Sequence, residues 1–351
     1  MISRLKNILK DNADLRTRLE QVIAGHATEN PDRQTNPVQS LSDLYTYAER
    51  FLHCLPYQGL DSGENIGLFR RIDQSIGYFY FIFGELQTHP LIARWLADYD
   101  SEWGHFLSSP DSWTPEALRL AQADPLFGLQ DGRYESPDHW HSWNDFFTRR
   151  LSAPPVPFNA VISDSDHNPT ILSPCDGCIT DRPVKTATLT NWLDMLGDCP
   201  YRPCFENGST FHIVLDMYDY HRFHAPVSGT VLDLRLIDGV HHAGGTIIWD
   251  GQEHRYRYRQ LGDTSFQMIE KRGVLILDTA HLGKIAIIPV GVAQVSSVNW
   301  NPAIAIDSTV QQGEELGCFR CGGSDIVLLF EQDRAPDITG NQTCRACRPL
   351  I

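Results

Sequence analysis

Three clusters in this 351-residue chain carry residue types that could do chemistry. The first is Asp219-Tyr220-His221-Arg222-Phe223-His224-Ala225-Pro226. Imidazoles exchange protons near neutral pH, and two of them three residues apart could also hold a metal. Alone, the pair reads as ordinary loop residues before it reads as a site, and no HExxH pattern completes a zinc site. Arg222 stands open between a carboxylate anchor and a structural ion pair. The second cluster is Ser173-Pro174-Cys175-Asp176-Gly177, which suits either a tight turn or a turn that presents a working carboxylate. The third is Gly317-Cys318-Phe319-Arg320-Cys321-Gly322-Gly323-Ser324, followed by Asp325 and an apolar run. Gly-Gly-Ser is either a flexible turn or a strained one in which the serine hydroxyl attacks the preceding carbonyl; two glycines permit the backbone geometry this needs. The ester so formed can eliminate to dehydroalanine and hydrolyse to a pyruvoyl group. That route requires a base for the hydroxyl, typically His, and a carboxylate to orient it.

The elements that must position these clusters change character along the chain. Residues 1 to about 135 carry helical spacing. The first twenty read as an exposed amphipathic helix, and 26–40, polar with two prolines, as a mobile linker. Leu41, Leu44, Tyr45 and Ala48 open a second helix, with Ser42 and Asp43 at its start. Further helices are expected over 68–86, over 90–99, and after Thr114-Pro115-Glu116 as N-cap, N1 and N2. From about residue 150, short β-rich runs lie between Gly, Pro and Asp clusters: 170–172, 210–215, 230–236, 246–249, 274–277, 284–290 and 326–330. The expected fold class is α+β: a helical N-terminal domain (1–138), then a β-rich, mainly antiparallel sandwich or barrel-like domain (139–351) that holds the chemistry.

Composition narrows the function classes. The chain has 44 Asp+Glu against 29 Lys+Arg, a net charge of −15, which disfavours nucleic acid and charge-driven docking on anionic lipid. No run approaches the ~20 apolar residues of a membrane span. The richest, 76–83 (IGYFYFIF), reads as a buried helix, with a membrane-surface anchor as the alternative. The N-terminus lacks the apolar core of a signal peptide. The expected location is the cytoplasm, with peripheral membrane attachment at most and nine mostly reduced cysteines.

Taken in order, SPxDG, YHRxHxPVxG and GxFxxGGS resemble the phosphatidylserine decarboxylase family. Residues 143–151 (WNDFFTRRL) are similar to the family's FFTRxL entry segment, and 290–297 (VGVAQVSS) to its VGAxxVGS strand, here with Val-Ser-Ser. The resemblance covers about 140–331. The helical stretch 41–140 resembles the extra domain of the family's soluble, tryptophan-decarboxylase-like branch. The resemblance implies that the chain cuts itself between Gly323 and Ser324, giving a large subunit (1–323) and a small one (324–351). Ser324 would become the pyruvoyl cofactor. His224 would act as base and Asp176 as its partner during processing. His221 would return a proton to the substrate Cα or contact its carboxylate, its pKa lying near working pH. The carbonyl would form a Schiff base with the substrate amine and take up the charge left as CO2 departs.

A free L-amino acid, aromatic ones such as tryptophan included, is the first substrate expected from this branch, and phosphatidylserine, giving phosphatidylethanolamine, is the alternative. The resemblance also implies a homo-oligomer. A reading from a different class is a non-catalytic, zinc-stabilised binding module that keeps Ser324 intact. Its ligands would be Cys318, Cys321, Cys344 and Cys347, two CxxC pairs whose spacing suits four-thiolate zinc. Against it, the resemblance puts Cys318 and Cys321 on the strand leading into the cleavage turn, and its chemistry uses no metal.

Overall fold

A computed structural model describes residues 1–56, 76–153, 170–179, 184–185, 190–239, 245–252, 255–260, 270–292, 297–320, 323–337, 340 and 342–350. It divides into two compact units. One comprises Met1–Asp124, His141–Trp143 and Val240–Phe266; the other comprises Pro125–Trp140, Asn144–Gly239 and Gln267–Ile351.

The helices, in chain order, are α1 (Ile2–Asp11), α2 (Ala13–Glu29), α3 (Leu41–Phe51), α4 (Ile76–Phe81), α5 (Pro90–Leu107), α6 (Pro115–Ala123) and α7 (Trp143–Phe147). The N-terminal helix is two helices, because the Asn12 side chain bonds back to the Ile8 carbonyl (2.8 Å) and its backbone leaves the helical region. It is not an exposed element: Leu5, Leu9, Leu15, Leu19 and Ile23 are all buried. Within each helix their four-residue spacing makes one apolar face. The linker expected over 26–40 is also fixed. α2 runs on to Glu29, and the Asn36 amide donates to the carbonyls of His26 and Asn30. The Tyr78 hydroxyl donates to Asn36 (2.7 Å) and accepts from the Val38 N–H (2.9 Å). A polar sequence is rigid here because its side chains take up the backbone groups.

Ser40 caps α3, accepting from the Asp43 N–H, two residues earlier than Ser42. Thr114 caps α6 as expected, accepting from the Ala117 N–H. The helix expected over 68–86 lies partly outside the described residues; its described end is α4 and a 3-10 turn, Gly84–Thr88. Tyr78 through Phe83 are all buried, so the described part of the 76–83 run offers no apolar face to a membrane. α5 extends to Leu107, its stripe Ile92, Trp95, Leu96, Tyr99, Trp103 and Leu107 closing on the core, where Phe79 stacks on Tyr99 at 4.7 Å.

The strands are β1 (Gly177–Ile179), β2 (Val184–Lys185), β3 (Ser209–Leu215), β4 (Arg222–His224), β5 (Gly229–Ile237), β6 (Gly245–Asp250), β7 (Arg255–Gln260), β8 (Arg272–Thr279), β9 (Gly283–Val292), β10 (Val298–Trp300), β11 (Thr309–Val310), β12 (Glu315–Phe319), β13 (Gly323–Phe330) and β14 (Gln342–Cys344). The β6–β7 hairpin groups with the helical unit, where β6 runs against α4. The second unit holds an antiparallel sheet in the order β11-β5-β8-β9-β13-β3-β1-β14, with β2 also on β3, and a smaller sheet β10-β12-β4. Residues 170–172 form no strand; Leu172 makes a single bridge to Pro349.

The central strands are buried on both faces, which is why they read as continuous apolar runs. One face, with Leu275, Leu277, Ile287, Ile326 and Leu328, packs on Phe223, Leu316 and Phe319 of the smaller sheet. The other, with Val274, Ile276, Ile288, Val327 and Leu329, packs on Met195, Leu196 and Phe205. The architecture is α+β with a two-sheet, antiparallel second unit.

Candidate active site

Backbone hydrogen bonds bring the three sequence clusters side by side. The His224 N–H donates to the Pro174 carbonyl (2.8 Å), which sets the Ser-Pro-Cys-Asp-Gly turn against β4. On the other side of β4, Cys318 pairs with Arg222, and the Phe319 N–H donates to the His221 carbonyl (2.9 Å). The strand that leads to Gly323-Ser324 therefore runs along the two histidines.

Gly177 has φ +146°, and a Cβ there would sit 2.4 Å from the Val214 carbonyl oxygen. Only glycine lets the turn pass directly onto β3. The residue before it, Asp176, is 4% exposed. Its carboxylate accepts two bonds from the Arg133 guanidinium (2.5 and 2.6 Å) and one from the Ala346 N–H (2.8 Å). The turn is held by the C-terminal segment as well: the Ser173 N–H donates to Arg348, and the Cys347 N–H donates to Ser173.

His224 is 2% exposed. Its Nδ1 lies 2.9 Å from the Gly313 carbonyl, which can only accept, so Nδ1 carries the proton. Nε2 is then the acceptor, and the Tyr220 hydroxyl donates to it at 3.0 Å. Burial pushes the imidazole pKa down and the Tyr220 phenol up, so both are neutral. His224 and Asp176 share no hydrogen bond.

His221 is wholly buried. Its Nδ1 donates to the Asp219 carbonyl (2.9 Å), and its ring stacks on Phe147 at 3.8 Å. Nε2 is buried without a hydrogen-bond partner. Burial, with Arg149 nearby, drives its pKa down to about 3. This overturns the expectation of a pKa near working pH: His221 is a neutral acceptor. Arg222 resolves to the structural role, since it donates to Glu315 (2.6 Å) and to the Thr148 carbonyl (2.7 Å).

Gly323 and Ser324 open β13, between β3 and β9, with Ser324 in register with Leu215 and Gly291. Next to it Asp325 is buried and 2.9 Å from His212 Nε2. A cavity of about 520 Å³ is lined by Arg133, Asp176, Gly177, Leu215, Asp219 and Arg345, among others. Leu215 and Asp176 thus connect it to the register position of Ser324 and to the acidic turn. Asp219 there accepts from the Asp216 N–H (2.7 Å), and burial raises its pKa to about 6.

Among the described residues no group of three or more His, Cys, Asp or Glu is arranged to hold a metal. The Cys344 thiol meets the Gly177 carbonyl, and the Cys347 thiol meets that of Gly313. Burial raises these two thiols to about 11 and about 12. Cys321 and Gly322, and most of the Val-Ser-Ser segment, lie outside the described residues.

The family model described as phosphatidylserine decarboxylase matches residues 143–351. The chain belongs to the phosphatidylserine decarboxylase family. The phosphatidylserine decarboxylase proenzyme of Fusobacterium nucleatum is 27% identical over 270 residues, 73% of this chain and 80% of the relative. Decarboxylase iboD of Amanita muscaria is 28% identical over 268 residues, 65% of this chain and 73% of the relative. L-tryptophan decarboxylase of Psilocybe cubensis is 24% identical, covering 67% and 61%. Membership makes the chain a decarboxylase, a carboxy-lyase.

Within this phosphatidylserine decarboxylase fold, three residues stand at the site that the sequence reading left without a role. Arg149, wholly buried, donates to the carbonyls of Tyr218 (2.7 Å) and Asp219 (3.1 Å) and faces the Tyr134 ring at 4.4 Å. It braces the loop before His221, which gives the Phe-Phe-Thr-Arg segment a physical purpose. Tyr220 was visible in its cluster, but its bond to His224 depends on the turn. Arg133 carried no signal, because nothing in its own neighbourhood marks it as the partner of a carboxylate 43 positions on.

Proposed function

We propose that the chain cuts itself between Gly323 and Ser324 and, with Ser324 converted to a pyruvoyl group, decarboxylates phosphatidylserine. The observation that carries this reading is the alignment of the acidic turn, the two histidines and the strand leading to Gly323-Ser324 by direct backbone bonds. His224 has the state a base needs: neutral, its proton fixed on Gly313, its Nε2 lone pair basic. It takes the Ser324 proton as the hydroxyl adds to the Gly323 carbonyl. Tyr220 must release Nε2 for this, or pass the proton along. Asp176 holds negative charge close enough to favour the imidazolium that forms.

The residues present fit a pyruvoyl group. Ser324 begins a strand paired on both sides, so the end created by cutting stays in the sheet. His221 Nε2 is a buried acceptor with no partner of its own. The group supplies a carbonyl electron sink for the charge left on Cα as CO2 departs. His221, neutral and dry, orients polar atoms of the substrate by accepting from them. Arg345, exposed at the cavity and without an ion-pair partner among the described residues, supplies a cation for the substrate's anionic group.

The sequence reading put a free amino acid first, and the comparisons support the lipid better, since the matching model and the Fusobacterium relative both carry that name. The similarity to iboD and to L-tryptophan decarboxylase favours the amino acid as a second reading. No helix among the described residues is long and apolar enough to cross a membrane, which is compatible with either. The test is intact mass on a denatured sample, with CO2 release measured from phosphatidylserine vesicles, tryptophan and other amino acids. We expect two products, 1–323 and 324–351, and release from the vesicles. A single uncut chain overturns the processing step; release from free amino acids alone overturns the lipid substrate. Ser324→Ala should abolish cutting and activity together.

A further inference from the structure

We infer that Arg133 is a positioning residue for self-processing: it fixes the Asp176 carboxylate and ties it to His224 through the face of Tyr220. The inference rests on the reading that the chain cuts itself at Gly323-Ser324. Arg133 lies outside residues 143–351, which the family model matches, so the core motifs do not include it. It nevertheless makes the closest contacts of Asp176, a two-pronged fork at 2.5 and 2.6 Å with the carboxylate almost wholly buried. A carboxylate in that setting needs a charged partner, and the planar guanidinium fork fixes its orientation as well as its charge.

The same guanidinium faces two rings, Tyr134 at 5.5 Å and Tyr220 at 5.6 Å. Tyr220 and Tyr134 stack on each other at 6.3 Å, and Tyr220 donates to His224. Asp176 and His224 share no bond, and while the backbone bond from His224 to Pro174 fixes the turn, Arg133 with Tyr220 links the two side chains. A cation over the ring face attracts it and so fixes the tilt of the phenol. That tilt sets whether the hydroxyl stays on His224 Nε2. Arg133 thus acts on the base through two routes, the counter-charge it orients and the hydroxyl it steers. Without it, Asp176 turns toward solvent or toward the cavity, and Tyr220 loses its clamp.

The test uses the full chain, freshly expressed, and follows the appearance of the 324–351 product with time. The wild-type chain must cut, and its failure to do so would overturn the processing reading itself rather than this inference. With cutting established, Arg133→Ala should slow it by about 100-fold, the scale of a misplaced catalytic group. Millimolar guanidinium ion should restore much of the rate by occupying the vacated space, which a merely structural role would not allow. Should Arg133→Ala melt early, Arg133→Lys carries the comparison: it keeps the charge but loses the fork, and should cut several-fold more slowly than wild type. The inference is overturned if Arg133→Ala cuts at the wild-type rate. It is equally overturned if that variant is folded and slow but gains nothing from guanidinium, or if Arg133→Lys matches wild type.

Discussion

The helical unit and the site in the β unit both bury aromatic rings and polar groups, and they use them differently. In the helical core the Tyr99 hydroxyl is bonded to the Ala48 carbonyl, the Trp103 indole donates to Cys54, and Tyr78 closes on Asn36. These three groups end on the backbone or on a neutral amide, the buried Tyr80 hydroxyl ends on the Asp100 carboxylate, and the rings of Phe51, Phe79, Tyr99 and Trp103 fill the space between. At the site, Tyr220 and Tyr134 lie against Arg133 and Arg149, and their neighbours are Asp176, His221 and His224. There Asp176 ends on Arg133 and Tyr220 on His224, the two histidines rest their Nδ1 atoms on backbone carbonyls, and His221 Nε2 has no partner among the described residues. A buried acceptor left bare costs about 1–3 kcal/mol. The helical unit spends its aromatic residues on cohesion, whereas the site accepts a cost that function must justify.

The comparison can be broken by variants that exchange the two behaviours. The largest effect is expected of His224→Gln, which should slow self-cutting by about 10²–10⁴-fold, the usual contribution of a positioned base. The melting temperature should change little. If the melting temperature collapses while cutting persists, His224 is a packing residue and the contrast fails. Phe79→Ala should do the reverse. Phe79 is fully buried and stacks on Phe51 and Tyr99, so its loss should cost about 3–5 kcal/mol. In cool conditions, where the chain stays folded, the rate of cutting should match wild type. A slowed rate at full folding would mean that the helical unit takes part in the chemistry.

How far the two regions could be read from the residues follows the same line. The helical core was legible because cohesion leaves a local record: the stripe from Ile92 to Leu107 repeats at helical spacing, and Thr114-Pro115 marks a helix start. The central strands were legible as well, since β8, β9 and β13 are buried on both faces and read as unbroken apolar runs. Residues 26–40 were misread because composition reports polarity, while the order there comes from Asn36 and Tyr78, 42 positions apart. At the site, the motif residues stood out, but their linkage did not. The bond between Arg133 and Asp176, the Gly313 carbonyl that fixes the His224 tautomer, and the burial that makes His221 neutral all come from distant chain segments.

The smallest expected effect sharpens the contrast through pH. Asp219 lies at the cavity, beside Asp176 and Asp216 with Arg149 nearby, and its pKa is raised from 3.8 to about 6, chiefly by burial. The folded chain therefore holds this proton more tightly than the unfolded one. The stabilisation is fully present below about pH 4 and is lost as pH rises through about 6. The loss is at most about 3 kcal/mol. Asp219→Asn keeps the acceptor for the Asp216 N–H and never ionises. It should match wild type at about pH 4 and melt higher at about pH 8. The buried histidines respond in the other sense: His26, stacked on Phe81 in the helical unit, is pushed down to about 4 by burial and disfavours folding as acid charges it. His221 and His224 act likewise in the β unit. Those responses are common to both chains, so the difference between their melting curves isolates Asp219. Equal melting at about pH 8 would mean that the Asp219 carboxylate sits comfortably ionised and that the site does not store the cost assigned to it; an equal gain at about pH 4 and about pH 8 would mean that the effect of Asn is not the removal of a charge.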